Sequence, residues 1–244
     1  MSRQLRLLSA IGLSLVLCGA GRAAELKVYT EESAPYHFTR DGKVVGIATD
    51  LLKLACKRAR IHCEIHMVPW ARAYAQTRST PNTLIYSMVR NPERERDFLW
   101  ISPIATETMW LYGRPDSPPI KALADLKTMR TGAINGSSGA ALLQSAGVPA
   151  SAIDLANSTE LNFRKLEADR IQFLVSTESR MQTELTRFQL PFPLAKRLKL
   201  QEATSYYAMN RHSSPALVRS LRQALARVAT AKTMADLQSK YQPK

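Results

Sequence analysis

The chain has 244 residues, 45% of them apolar, with 34 Lys and Arg against 20 Asp and Glu. That composition excludes a disordered polymer, and the length is enough for one large domain or two lobes. The net charge of +14 is scattered, with no long Lys/Arg block and no aromatic-interleaved basic stripe. This argues against nucleic acid as a partner and reads first as a solvated basic surface, with an anionic lipid surface or an acidic ligand as the other readings.

The amino terminus reads as a secretory signal. Arg3 and Arg6 are positive, and residues 7–17 form an apolar core of about 11 residues, far short of the roughly 20 that a membrane span needs. Gly21, Arg22 and Ala23 offer a small-residue cleavage site. Residues 1–23 are therefore expected to be a signal peptide, leaving an exported, periplasmic chain. Leu17 is too bulky to precede a lipidated Cys18, so no lipid anchor is expected. Cys56 and Cys63 then remain as an even pair in an oxidising compartment. They suggest a disulfide; the spacing is not the Cys-x-x-Cys of a redox motif.

Residues 26–30 alternate and predict a strand. A loop over 31–38, a turn at Asp41 and Gly42 and a short apolar run over 44–47 follow. Asp50 can help to cap a helix whose buried stripe is Leu51, Leu52, Ala55, Cys56 and Ala59. Over 61–67, Ile61, Cys63, Ile65 and Met67 face one way and His62, Glu64 and His66 the other, the pattern of an edge strand buried on one side. Pro69 and Trp70 open a helix over 71–76, and 83–88 is the next strand. This order predicts a parallel sheet with crossover helices, whose ligands bind beyond the carboxyl ends of the strands.

The loops at those ends carry Glu31, Tyr36, Trp70, Arg72, Ser87, Arg90 and Arg94. An arginine held near a strand end is a fork for a carboxylate. Tyr36 and Trp70 could stack on a ligand or pack between loops. Arg72 and Arg90 could bind a second acidic group or pair with Glu31 and Glu32. Further on, a strand over 109–112 runs into Pro115, Pro118 and Pro119, which mark a boundary. Gly132, Gly136, Ser137, Ser138 and Gly139 lead into a helix over 140–145. Such a turn offers free N–H groups to an anion, although Gly and Ser also serve ordinary turns and caps. Helices over 160–168, capped by Ser158, and over 177–185, capped by Thr177, flank a strand over 171–175. A strand over 205–209, a helical stripe of Leu217, Val218, Leu221, Leu225 and Val228, and a last helix over 234–241 complete the chain.

Several segments, in their order and spacing, resemble one family. They are Pro35 to Phe38, Asp41 to Gly46 with Asp50, Leu51 and Leu52, Val68-Pro69-Trp70, Arg90-Asn91-Pro92-Glu93-Arg94-Glu95 with 98–103, Asp125-Leu126-Lys127, and Tyr206 to Met209. Together they resemble the bacterial extracellular solute-binding proteins, family 3, the polar-amino-acid receptors of ABC transporters, over nearly all of the mature chain. The resemblance implies an α/β fold, a two-lobed periplasmic binding protein of type II with two hinge crossovers near 111–114 and 205–209. Lobe 1 would comprise 24–112 and 207–244, and lobe 2 would comprise 113–206. It further implies a monomer that closes on a small polar ligand, without a cofactor, and serves a membrane permease.

In that family the arginine that grips the ligand carboxylate falls on Arg94, and Ser87 falls on a polar cleft position. Two departures stand out. Thr177 occupies the place of the aspartate that binds an α-ammonium, with Glu178 next to it as a conceivable substitute. Ser33 occupies the place of an aromatic residue. Without that aspartate a plain α-amino acid is in doubt, and a ligand richer in negative charge would fit the basic balance of the chain. The alternatives are a sensory partner of a membrane receptor, and a dehydratase-like enzyme of this fold with Glu31 or Glu32 as acid or base. His62, Glu64 and His66 could hold a metal, but an exposed strand face explains them as well.

Overall fold

The structure, a computed structural model, describes residues 24–241. The expected signal peptide and Cys18 lie outside the described residues. The chain runs β1 (Ala24–Thr30), a hairpin of β2 (Phe38–Arg40) and β3 (Lys43–Val45), α1 (Ile47–Ala59), β4 (Ile61–Met67), α2 (Trp70–Ser79) and β5 (Thr83–Val89). It continues through β6 (Phe98–Gly113), β7 (Thr131–Ile134), α3 (Ser138–Ser145), β8 (Ile153–Ala156), α4 (Thr159–Glu167), β9 (Phe173–Thr177) and α5 (Glu178–Phe188). It ends with β10 (Ala195–Asn210), α6 (Pro215–Val228) and α7 (Ala231–Tyr241).

One sheet carries eight of the strands in the order β4-β1-β5-β10-β6-β9-β7-β8. β1 pairs in parallel with β4 and β5, and β7 in parallel with β8 and β9. The two parallel halves are joined by β6 and β10, which are antiparallel to each other and to their outer neighbours. Each half has its own core. Leu26, Val28, Leu52, Tyr86, Tyr207, Met209 and Leu221 pack in the first, which also draws in α7 through Leu237 and Tyr241. Leu111, Leu126, Ala133, Leu143 and Phe173 pack in the second.

The strand chemistry follows position. β4 lies at the sheet edge, as its alternation predicts. In β5, Thr83, Leu84, Ile85 and Tyr86 are all buried, because an inner strand is covered on both faces. β6 and β10 are 16 residues each, far longer than the segments 109–112 and 205–209 expected. Both are half-exposed, with polar residues on either face and several register shifts, so no two-residue period marks them. Pro103 is accommodated beside such a shift, where an irregular ladder spares its missing N–H. Met109 and Leu111 already belong to the second core. The strand thus enters the second half ahead of the expected crossover at 111–114.

The start of α1 fixes the loop that follows β1. The N–H groups of Ile47, Ala48 and Thr49 donate to the carbonyls of Pro35 and Tyr36, which satisfies the free donors of the first turn. Gly46, at φ 128°, permits this approach: a Cβ there would lie 2.4 Å from the Tyr36 carbonyl oxygen. Asp50, expected as a cap, instead sits inside the first turn, and Gly46 is the N-cap. Its carboxylate accepts from Lys240 Nζ at 2.8 Å and the Tyr241 hydroxyl at 2.5 Å, which ties the last helix to the first. At the other end of α1, Cys56 is bonded to Cys63 of β4.

The bridge spans seven residues of sequence, so loop-closure entropy assigns it about 2.5 kcal/mol. Replacing both cysteines by alanine should lower the melting temperature by about 5–10 °C. A melt unchanged by the double replacement, or an intact-mass spectrum of the oxidised protein with two free thiols, would contradict the bridge.

Candidate ligand-binding site

A cavity of about 100 Å³ lies between the two halves, at the carboxyl ends of β1, β5, β7 and β9. Glu31, Ser33, Tyr36, His37, Trp70, Ser87 and Arg94 line it from the first half. Glu107 and Ser205 line it from the joining strands, and Ser137, Ser138, Gly139, Ser176, Thr177 and Arg180 from the second half.

Arg94 is only 5% exposed. Its Nη1 donates to the Val89 carbonyl at 3.0 Å and its Nη2 to the Gly136 carbonyl at 3.1 Å, across the two halves. The guanidinium lies 5.8 Å from the Trp70 ring and 5.4 Å from the Tyr74 ring. Among the described residues no carboxylate forms an ion pair with it, and burial pulls its pKa down, with Tyr74 and Glu93 opposing. Trp70 Nε1 donates to the same Gly136 carbonyl at 2.9 Å. The start of α3 is thereby pinned against Arg94. Ser137 caps α3 by accepting from the Ala140 N–H at 3.2 Å. The N–H groups of Ser138 and Gly139 are the first two of the helix and have no intrahelical partner. Buried cation and free helix donors thus adjoin on one cavity wall.

Three polar atoms on this wall are buried without a hydrogen-bond partner among the described residues: Ser87 Oγ, Ser176 Oγ and His37 Nε2. Ser87 occupies a left-handed conformation at φ 59°, costly for a residue with a Cβ. There Tyr86 and Ser87 of β5 face the single Tyr207 of β10, a bulge that re-aims the chain at the cavity. His37 Nδ1 lies 2.6 Å from the Glu31 carbonyl, which can only accept, so the proton is on Nδ1 and Nε2 is an acceptor. Burial drives the His37 pKa down to about 3; nearby Arg180 adds to this and the Glu31 carbonyl opposes it. Burial, and then Glu107, pushes the Tyr36 hydroxyl up to about 12.

A second set of contacts also crosses the cleft. Arg180 Nη2 donates to Glu31 Oε1 at 2.6 Å, and its Nε donates to Ser33 Oγ at 2.9 Å. Glu107 accepts from the Ser179 hydroxyl, and burial holds its carboxyl above the ordinary value. Sequence reasoning missed Arg180, Glu107, Ser176 and His37. Arg180 had a usable signal: it stands just beyond the carboxyl end of β9, where such sheets gather their site residues.

Of the ten residues singled out from the sequence, Glu31, Tyr36, Trp70, Ser87, Arg94, Ser137 and Thr177 meet on the cavity wall. Arg72, Arg90 and Glu178 do not. Arg72 is exposed on α2, turned away from the stripe of Trp70, Ala73 and Thr77 that the helix buries. Arg90 holds Glu95 with two bonds, 2.6 and 3.2 Å, and stacks near Trp100 and Tyr206; Glu31 is taken by Arg180 instead. Glu178 is exposed and pairs with Lys196 at 2.5 Å. Thr177 holds the N-cap position of α5, but its side chain makes no capping bond. His66 lies 3.4 Å from Glu64 and stacks on Tyr29. No group of three or more metal-ligating side chains gathers among the described residues.

Over residues 26–244 the sequence matches the bacterial extracellular solute-binding proteins, family 3. The chain belongs to that family. No curated protein matches it in sequence. Among solved structures it is similar to a histidine kinase sensor domain that itself resembles periplasmic binding proteins, at 17% identity and a TM-score of 0.81, over 90% of this chain and 96% of that one. It is also similar to an amino acid ABC transporter substrate-binding protein from Streptococcus pneumoniae bound to L-arginine, at 18% identity and 0.76, over 89% and 94%. A third likeness is to the arginine-, lysine-, histidine-binding protein of Geobacillus stearothermophilus, at 19% identity and 0.75, over 90% and 97%. These likenesses carry the fold: an α/β periplasmic-binding-protein architecture. Among the described residues no helix of this family member is long and apolar enough to cross a membrane.

Two outcomes follow from the buried charges. Without its cation, Glu31 loses the contact that ties it to the second half, and opening of the cleft hydrates it more fully. Arg180→Ala should therefore enlarge the radius of gyration of the ligand-free protein in solution scattering; an unchanged radius would contradict a cleft held by this pair. His37 is neutral in both folded and unfolded chains above about pH 6.5. Below that, the unfolded chain takes up a proton that the folded one refuses until about pH 3. Stability is therefore lost as pH falls, by up to about 1.4 kcal/mol per pH unit from this group. Asparagine keeps a donor near the Nδ1 position, so the stability gap between wild type and His37→Asn should narrow as urea unfolding is repeated from pH 7 down to pH 4. A gap independent of pH would reject the assignment.

Proposed function

We propose that this solute-binding protein captures a small zwitterion, an amino acid or a close relative, between its lobes. The observation that carries the reading is the buried Arg94, which faces the cavity beside the free N–H groups of α3 and, among the described residues, has no carboxylate of its own. Such a buried charge is unfavourable until an anion meets it, and a bidentate pair with a ligand carboxylate would contribute about 1.5–3 kcal/mol. The helix donors complement that anion. Glu107 supplies the opposite charge for an ammonium, in place of the aspartate that Thr177 replaces. With Glu31 and Glu107 on the wall, the cavity suits a zwitterion better than the more anionic ligand that the overall charge suggests.

The ligand would pass to an ABC-type permease, after export to the periplasm as a monomer without a cofactor. The similar proteins from Streptococcus pneumoniae and Geobacillus stearothermophilus, which bind arginine or basic amino acids, favour this reading. The likeness to a histidine kinase sensor domain favours a second one, in which the same binding event is reported to a membrane sensor. An enzymatic role with Glu31 or Glu32 as acid or base finds less support, since Arg180 holds the Glu31 carboxylate and Thr39 holds that of Glu32.

A thermal-shift screen of residues 24–244 against amino acids, di- and tricarboxylates, amines and short peptides, followed by calorimetry, tests the proposal. A true ligand at a hundred times its Kd adds about 2.7 kcal/mol to stability. Arg94→Ala should weaken that ligand by about 10- to 150-fold. A ligand indifferent to Arg94→Ala would reject the carboxylate site.

A further inference from the structure

A second cavity, of about 290 Å³, adjoins the first and shares Glu31 and Thr159 with it. It too lies between the halves, and Glu32, Glu160, Glu184 and Arg187 are on its wall. Three of the four glutamates are already engaged. Arg180 holds Glu31 at 2.6 Å, the Thr39 N–H reaches Glu32 at 3.1 Å, and Arg164 holds Glu160 at 2.7 Å.

Glu184 is different. It is 4% exposed, yet its side chain has neither a hydrogen bond nor an ion pair among the described residues. Arg187 and Arg180 act on it only through space, and Glu32 and Glu160 oppose them. Its carboxyl lines the cavity, and burial disfavours the charged form until a cation reaches it there. The two cavities together present five glutamates against three arginines, with Arg164 pairing a further one of the five from outside, in a chain whose overall charge is +14. The local field therefore runs against the global one, which marks the chamber for a cation.

We infer that the second cavity receives a cationic group, an ammonium or guanidinium at the far end of the ligand, with Glu184 as its direct partner. The inference rests on the ligand carboxylate lying at Arg94. The cavities adjoin at Glu31 and Thr159, so one elongated molecule would reach from Arg94 to Glu184 past that shared wall. A free inorganic cation is disfavoured, since a single uncommitted carboxylate cannot supply the several oxygen ligands that such ions take.

Calorimetry with L-arginine, L-citrulline and agmatine separates the parts. Citrulline has the shape of arginine without its charge, and agmatine has the charge without the carboxylate. Wild type should bind L-arginine at least about tenfold more tightly than L-citrulline. Glu184→Gln should bring the two within about twofold by weakening L-arginine alone. Glu184→Asp, which keeps the charge but shortens the reach, should fall between, and it decides the matter if Glu184→Gln fails to fold in a thermal melt. Equal affinity for arginine and citrulline on wild type, or a preference that survives both Glu184 variants, would overturn the inference. In that case the carboxylate reading still stands, provided that Arg94→Ala weakens both ligands and agmatine binds poorly to wild type. Binding that ignores Arg94→Ala, or no binding of any of the three, would overturn both.

Discussion

The pairing of β6 with β10 is the constraint on which the rest of the molecule depends. These two strands run antiparallel over their whole length and are the connection between two parallel half-sheets. Because they join the halves within one ladder, the carboxyl ends of β1 and β5 face those of β7 and β9 across a single cleft. Their own residues reach the cavity as well, as Glu107 and Ser205. The register along the pair shifts near Ser205 and Tyr207, so the ladder is interrupted where the two strands pass between the halves.

Electrostatics then decides what the cleft can hold. Among the described residues, polar contacts from opposite halves meet at the Gly136 carbonyl with Arg94 and Trp70, and at Arg180 with Glu31 and Ser33. They differ in kind. Arg180 is matched by a carboxylate and acts as a clasp. Arg94 is matched by carbonyl dipoles and by the Trp70 and Tyr74 rings, and among the described residues by no carboxylate. Glu107 and Glu184 are its acidic counterparts, one bonded only to a serine and the other to nothing among the described residues. Fixed charges of both signs are thus spaced along one cleft.

Much of the fold was legible in the sequence wherever burial is one-sided. The strand Ile61–Met67 is readable to its last residue because an edge strand alternates cleanly. α4 and its Ser158 cap are equally plain, since the Ser158 hydroxyl accepts from the Leu161 N–H at 3.2 Å. β8 escapes because four residues are too few to show a period, and most of β6 and β10 escapes because both faces are mixed. In the site, Arg72, Arg90 and Arg94 look alike as sequence; only the helical face and the loop geometry bury one and expose the others. Arg180 and Glu107 are harder still. Arg180 meets Glu31 from 149 residues away and Ser179 meets Glu107 from 72, and no local pattern encodes such a meeting.

The first core is assembled from both ends of the chain, with the bond of Asp50 to Tyr241 as its outermost stitch. That has a consequence for biosynthesis. Every residue of the second core is available once Leu200 has been made, whereas the first core waits for α6 and α7. The half that is started first is therefore the half that is finished last. Until then the nascent chain carries β1, β4 and β5 with one face of α1 bare, and a chaperone that binds apolar segments would find its longest-lived target there.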